Sequence, residues 1–150
     1  MPRQINPKHI LPPGSRYSHG IIHSARARRL VISGQFGARV DGTVPEDLRE
    51  QVAIAFDNLL AVVAEAGLAP TDLIKISAYC TEPHAVRAFR EVRDRKLSGH
   101  APASTYLEVA GLAMPGLKFE IEGEAVSEEP DLLFEDYHER VGAPEWSGKR

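Results

Sequence analysis

The chain has one cysteine and one tryptophan among its 150 residues. With Cys80 alone, no disulfide can close within it, and thiolate metal clusters are excluded because they need several sulfurs. On an apolar strand face that thiol reads as a buried small hydrophobe. Long apolar runs are missing: nothing approaches the roughly 20 residues of a membrane helix, and the N-terminus lacks the apolar stretch of a signal peptide. The expectation is a cytoplasmic protein with no membrane partner. Positive charge is scarce, with 18 Lys and Arg against 21 Asp and Glu and a net charge of -3. Bulk electrostatics therefore offers nucleic acid no attraction, and none is expected as a partner. A phosphate-cradling loop is absent too, since Ser33-Gly34-Gln35-Phe36-Gly37 has neither Walker nor dinucleotide spacing. The six histidines form no zinc motif. His19 and His23 would share one side of an extended segment, which is half of a metal site, so no metal is expected.

What the chain does have is clear periodicity. Residues 1–16, with Pro2, Pro7, Pro12, Pro13 and Gly14, read as an irregular arm. Tyr17 to Ile22 is a candidate short strand, and Arg26, Arg28 and Arg29 a solvated basic turn. Leu30-Val31-Ile32 reads as a strand with its exit at Ser33-Gly34. A helix is predicted from about Glu46 to Ala66. Leu48, Val52, Phe56, Leu59 and Val63 give it one apolar stripe, acidic residues favour its start, and Gly67 stops it. A strand over Asp72–Cys80 follows, with Ile74, Ile76, Ala78 and Cys80 on one face. A second helix spans about Pro83 to Leu97. Two strands close the pattern, from Pro102 and from Lys118.

That order predicts an α+β domain over residues 1–126, a mixed sheet with two helices on one face. In the last strand Phe119, Ile121 and Ala125 share one side, and Glu120, Glu122 and Glu124 the other. Three carboxylates in a row do not suit a dry core, so that side faces a wet cleft or a polar subunit interface. Residues 127–150 break the pattern. Leu132, Leu133, Phe134, Tyr137 and Trp146 lie amid Asp and Glu there. The expectation is a C-terminal extension that packs on the body or a neighbouring subunit, because aromatic clusters seek burial.

Several short motifs fall in a telling sequence. Tyr17-Ser18 precedes the first strand, and Ser33-Gly34-Gln35 ends the second. Gln51, Asn58-Leu59 and Ala66-Gly67 mark the long helix, and Asp72-Leu73-Ile74-Lys75 begins the central strand. Pro102-Ala103, Glu108-Val109 and Phe119-Glu120-Ile121-Glu122 close the domain. In this order and spacing, over about residues 14–126, the chain resembles the RidA family, also called YjgF or L-PSP endoribonuclease-like. The resemblance implies a chorismate-mutase-like fold, a homotrimer with the three sheets facing one another, and small-molecule clefts between subunits. Typical members hydrolyse reactive enamines or imines to 2-oxo acids and ammonia without metal or organic cofactor.

Such a reaction needs a cation to clamp the substrate carboxylate and a carboxylate to activate water. The resemblance assigns catalysis to Glu120 and Tyr17, and cleft-lining positions to Ser33 and Gly34. The clamping arginine of the family directly follows Pro-Ala, where this chain has Ser104. Tyr106 replaces a small cysteine and would reshape the pocket. Arg93 aligns with a helix asparagine and is either a relocated cation or an ordinary solvated residue. Three readings follow. The chain is a RidA-like deaminase with a different clamp, or it performs related hydrolytic chemistry on an altered substrate. Alternatively it is a non-catalytic binding or regulatory trimer. The ribonuclease reading fits poorly with the negative charge and the lack of a basic, aromatic-laced stripe.

Overall fold

The computed structural model describes residues 2–127. The predicted C-terminal extension lies outside the described residues. The arm is more ordered than its prolines suggest: β1 (Arg3–Ile5) pairs antiparallel with β2 (Gly20–Ile22). Pro2 precedes β1, and Pro7, Pro12 and Pro13 occupy the connection between these strands, where no ladder hydrogen bond is lost. The predicted strand from Tyr17 therefore begins only at Gly20.

The main sheet has the order β3 (Arg28–Phe36), β6 (Phe119–Ser127), β4 (Leu73–Cys80), β5 (Ala103–Glu108). Strands β4 and β5 run parallel, and the other pairs antiparallel. A parallel pair needs a crossover, supplied here by helix α2 (Val86–Lys96). Helix α1 (Leu48–Glu65) connects β3 to the short turn that opens β4. The Asp47 side chain caps α1 by accepting from the Glu50 amide at 2.8 Å. Gly67, at φ +71°, lies just beyond the helix, in the left-handed region that favours glycine.

The predicted stripe on α1 is buried: Val52, Phe56, Leu59 and Val63 reach the core. There they meet Ile76, Ala78, Phe119 and Ile121 from the sheet. One strand-face assignment is corrected. A register shift between Leu73 and Lys75 turns Leu73 into the core, whereas Ile74 is buried outside that cluster. Cys80 is buried within it. In β6, Phe119, Ile121, Gly123 and Ala125 face the helices, and Glu120, Glu122 and Glu124 take the opposite, open face. That open face also carries Val31 and Leu107, 68% and 49% exposed.

Candidate functional site

Residue pairing orders the open face into rows. One row runs Phe36, Glu120, Tyr79, and the next contains Glu122 and Ser77. Further along, Val31, Glu124 and Lys75 stand abreast. Two of the three glutamates are engaged. The Tyr79 hydroxyl donates to Glu122 Oε1 at 2.7 Å, which holds that phenol above its ordinary pKa. Arg29 Nη2 pairs with Glu124 at 2.7 Å. Lys75 donates to the Thr105 hydroxyl at 2.7 Å. The Glu120 carboxylate makes no hydrogen bond or ion pair among the described residues.

Its position depends on Gly34. Between Ile32 and Gln35 strand β3 gains a residue, so Ser33 and Gly34 form a bulge opposite Glu122. A methyl group on Gly34 would lie 1.9 Å from Glu120 Oε1 and 2.8 Å from its Cδ. Only glycine leaves the carboxylate this place. The structure thus brings together Ser33, Gly34 and Glu120 from the predicted set.

The other predicted residues lie elsewhere. Ser104 and Tyr106 pair with Ile76 and Ala78, so their side chains share the helix face, opposite that of Glu120. The Tyr106 ring packs against Phe89 at 5.2 Å between centroids. Its hydroxyl is buried without a partner of hydrogen-bonding geometry, and the weak thiol of Cys80 is beside it. Burial first, then Cys80 and Glu108, push this phenol well above its ordinary pKa. Arg93 is no solvated residue, at 2% exposure. Its Nε and Nη2 both donate to Asp94 Oδ1, at 2.9 and 2.8 Å, and its guanidinium lies 5.4 Å from the centre of the Phe89 ring. Asp94 and the aromatic ring together offset the burial of the charge. Tyr17 stacks edge-on with His19 beside β5, where Ser18 bridges to Ala103 and donates to the Ala101 carbonyl at 2.7 Å. Strand β4 stands between that edge and Glu120. His19 and His23 bind backbone carbonyls of Leu11 and Ser24, not each other.

Phe36 and Tyr79, the flanks of Glu120, are absent from the residues picked out by sequence. Tyr79 could have been found, because alternation along β4 sets it opposite the core. Phe36 could not, because a bulge decides which face it takes.

A family model described as Endoribonuclease L-PSP matches residues 8–127. The chain belongs to this family. Within the family it is 34% identical over 116 residues to the RutC family protein YjgH of Escherichia coli K12, covering 76% of this chain and 85% of YjgH. It is 31% identical over 88 residues to the E. coli K12 protein named "Putative reactive intermediate deaminase TdcF", covering 57% and 67% of the two chains. Among solved structures, the Rid family protein YyfB of Yersinia pestis, of unknown function, superposes with a TM-score of 0.77 at 29% identity. That match covers 84% of this chain and 98% of YyfB. E. coli TdcF with bound serine matches with a TM-score of 0.62 at 28% identity, over 81% and 93% of the chains. The predicted RidA-like α+β sheet with two helices is thereby borne out.

Proposed function

We propose that the protein is a RidA-like hydrolase of imines or enamines, with a substrate different from that of the typical deaminases. One observation carries this reading: of the three β6 carboxylates on the open face, Glu120 alone is unengaged among the described residues, seated over Gly34. A free carboxylate in that place can accept a proton from water as it attacks a C=N carbon. The relative TdcF, a deaminase by its name and solved with serine, supports a small-molecule site.

The site would lie between subunits of a homotrimer. Glu120, Ser33 and Gly34 belong to the open face, whereas Tyr17 sits beyond β4 and β5 and Ser104 faces the helices. One chain cannot converge Glu120 and Tyr17, but two copies meeting across the open face can, with Ser104 left on the helix side. Exposed Val31 and Leu107 favour such a cover. A lone, buried cysteine suits the cytoplasm. No cofactor enters the reading.

The test is a panel of imines generated in situ by flavin oxidases, with carbonyl and ammonia release as readouts. Wild type should accelerate release from part of the panel, and Glu120→Gln should lose roughly 10²-fold or more with its oligomeric state unchanged. Equal rates in both proteins remove Glu120 from the mechanism. Ser104 favours a second reading, a non-catalytic binder. Its uncharged hydroxyl offers one bond of about 1 kcal/mol, whereas a charged partner offers about 1.5–3. That reading takes over if nothing in the panel turns over while a small ligand still raises the melting temperature.

A further inference from the structure

The row Phe36, Glu120, Tyr79 has a composition that its carboxylate alone does not explain. Both lateral neighbours of Glu120 are half-buried aromatics. Tyr79 is further tethered, since its hydroxyl is committed to Glu122. No lysine or arginine stands in the row. Among the described residues, the cations of the open face are engaged away from this row: Arg29 pairs with Glu124, and Lys75, level with Glu124 in register, donates to Thr105. Glu124 is four residues along β6 from Glu120, about 13 Å at the usual strand rise. Arg93, the one buried cation among the described residues, is held by Asp94 and Phe89 in the helix layer.

An anion brought to this row would meet an uncompensated carboxylate. A cation would meet its counter-charge and two ring systems, the combination that recognises organic ammonium groups. We infer that this row selects an organic cation, a protonated imine with no carboxylate beside the imine carbon. The inference rests on Glu120 being the working carboxylate. The chemistry balances without another reactant. Water oxygen bonds to the imine carbon as the C=N π pair moves to nitrogen, and Glu120 takes the proton that water releases. It returns that proton to the amine nitrogen, the C–N bond breaks, and the hydroxyl proton leaves with ammonia. Overall, one iminium ion and one water give one neutral carbonyl compound and one ammonium ion. The positive charge that makes the carbon electrophilic is the one Glu120 recognises.

Binding separates this inference from the hydrolase reading. Benzylammonium chloride and sodium benzoate, matched in size and opposite in charge, are titrated into the full chain by calorimetry. Benzylammonium should bind at least about tenfold more tightly than benzoate, and Glu120→Gln should abolish the preference. Phe36→Leu should weaken benzylammonium about threefold and leave benzoate unchanged. Equal or tighter binding of benzoate overturns the inference, as does an undiminished benzylammonium preference in the Glu120→Gln variant, or failure of both to bind. Hydrolysis of carboxylate-bearing imines by a protein that prefers benzoate would overturn it and leave the hydrolase reading standing. A benzylammonium preference without turnover of any imine supports selection of an organic cation by this row, but it ends the hydrolase reading and overturns the hydrolytic step assigned to Glu120.

Discussion

Two glycines three positions apart do different work. A methyl on Gly34 meets the mobile end of one side chain, that of Glu120. A methyl on Gly37 meets helix α1 itself, 2.4 Å from the Gln51 Cα and 2.6 Å from its carbonyl oxygen. Gly34→Ala should therefore melt near the wild-type temperature but lose imine turnover as fully as Glu120→Gln. Gly37→Ala should lose about 3 kcal/mol or more in urea titrations, because backbone cannot swing aside as a carboxylate can. If Gly34→Ala is active, the place of Glu120 does not matter for chemistry. Tyr106 shows the opposite situation, a polar atom where none is needed. Tyr106→Phe should raise stability by about 1 kcal/mol, since it removes a buried hydroxyl without a good partner. It should also flatten the alkaline limb. The unfolded phenol ionises near pH 10 while the folded one resists, so the unfolded state sheds protons first and stability falls above that pH. Melting temperatures between about pH 9 and 11 would show the smaller slope. A residual slope is expected, because Tyr79 is shifted in the same direction.

At the scale of elements, much of the fold was legible because it is periodic. The α1 stripe and the strict alternation of β6 follow from burial of one side, so Glu120 could be assigned its face from sequence. The Phe36 and Leu73 placements depend on register shifts, which leave no periodic trace. Arg93 was illegible for another reason: among Arg90, Asp94 and Arg95 it looks solvated, and only the docking of α2 shows that this arginine points inward. Gln51 is a polar residue that ties elements together. Buried at the first turn of α1, its Nε2 donates to the carbonyls of Pro45 and Gly116 at 2.8 and 2.9 Å. Its Oε1 accepts from the Lys118 amide at 2.8 Å. These bonds fix the loop that delivers β6, and with it Glu120. Gln51→Leu leaves three backbone groups unpaired and should cost about 3 kcal/mol, read as a lower urea midpoint at unchanged slope. A midpoint within error of wild type would mean that water satisfies these groups.

For the whole molecule, the decisive fact is that the predicted site residues other than Arg93 of α2 occupy two faces and one edge of a single sheet. If the proposed cleft joins Glu120 of one copy to Tyr17 of the next, each chain carries two complementary halves of different clefts. Glu120→Gln and Tyr17→Phe should each be inactive as pure proteins. Refolded together in equal amounts, they should regain activity, because some clefts then receive an intact half from each variant. In a head-to-tail ring, a cleft takes Glu120 from one subunit and Tyr17 from its neighbour, each intact in half the subunits, so about a quarter of clefts recover. Sedimentation of the mixture should match that of the parents. A site contained in one chain predicts no recovery at all, since every chain in the mixture carries a lesion. The fraction recovered thus reports whether the open face with its unengaged carboxylate works only when a second copy covers it.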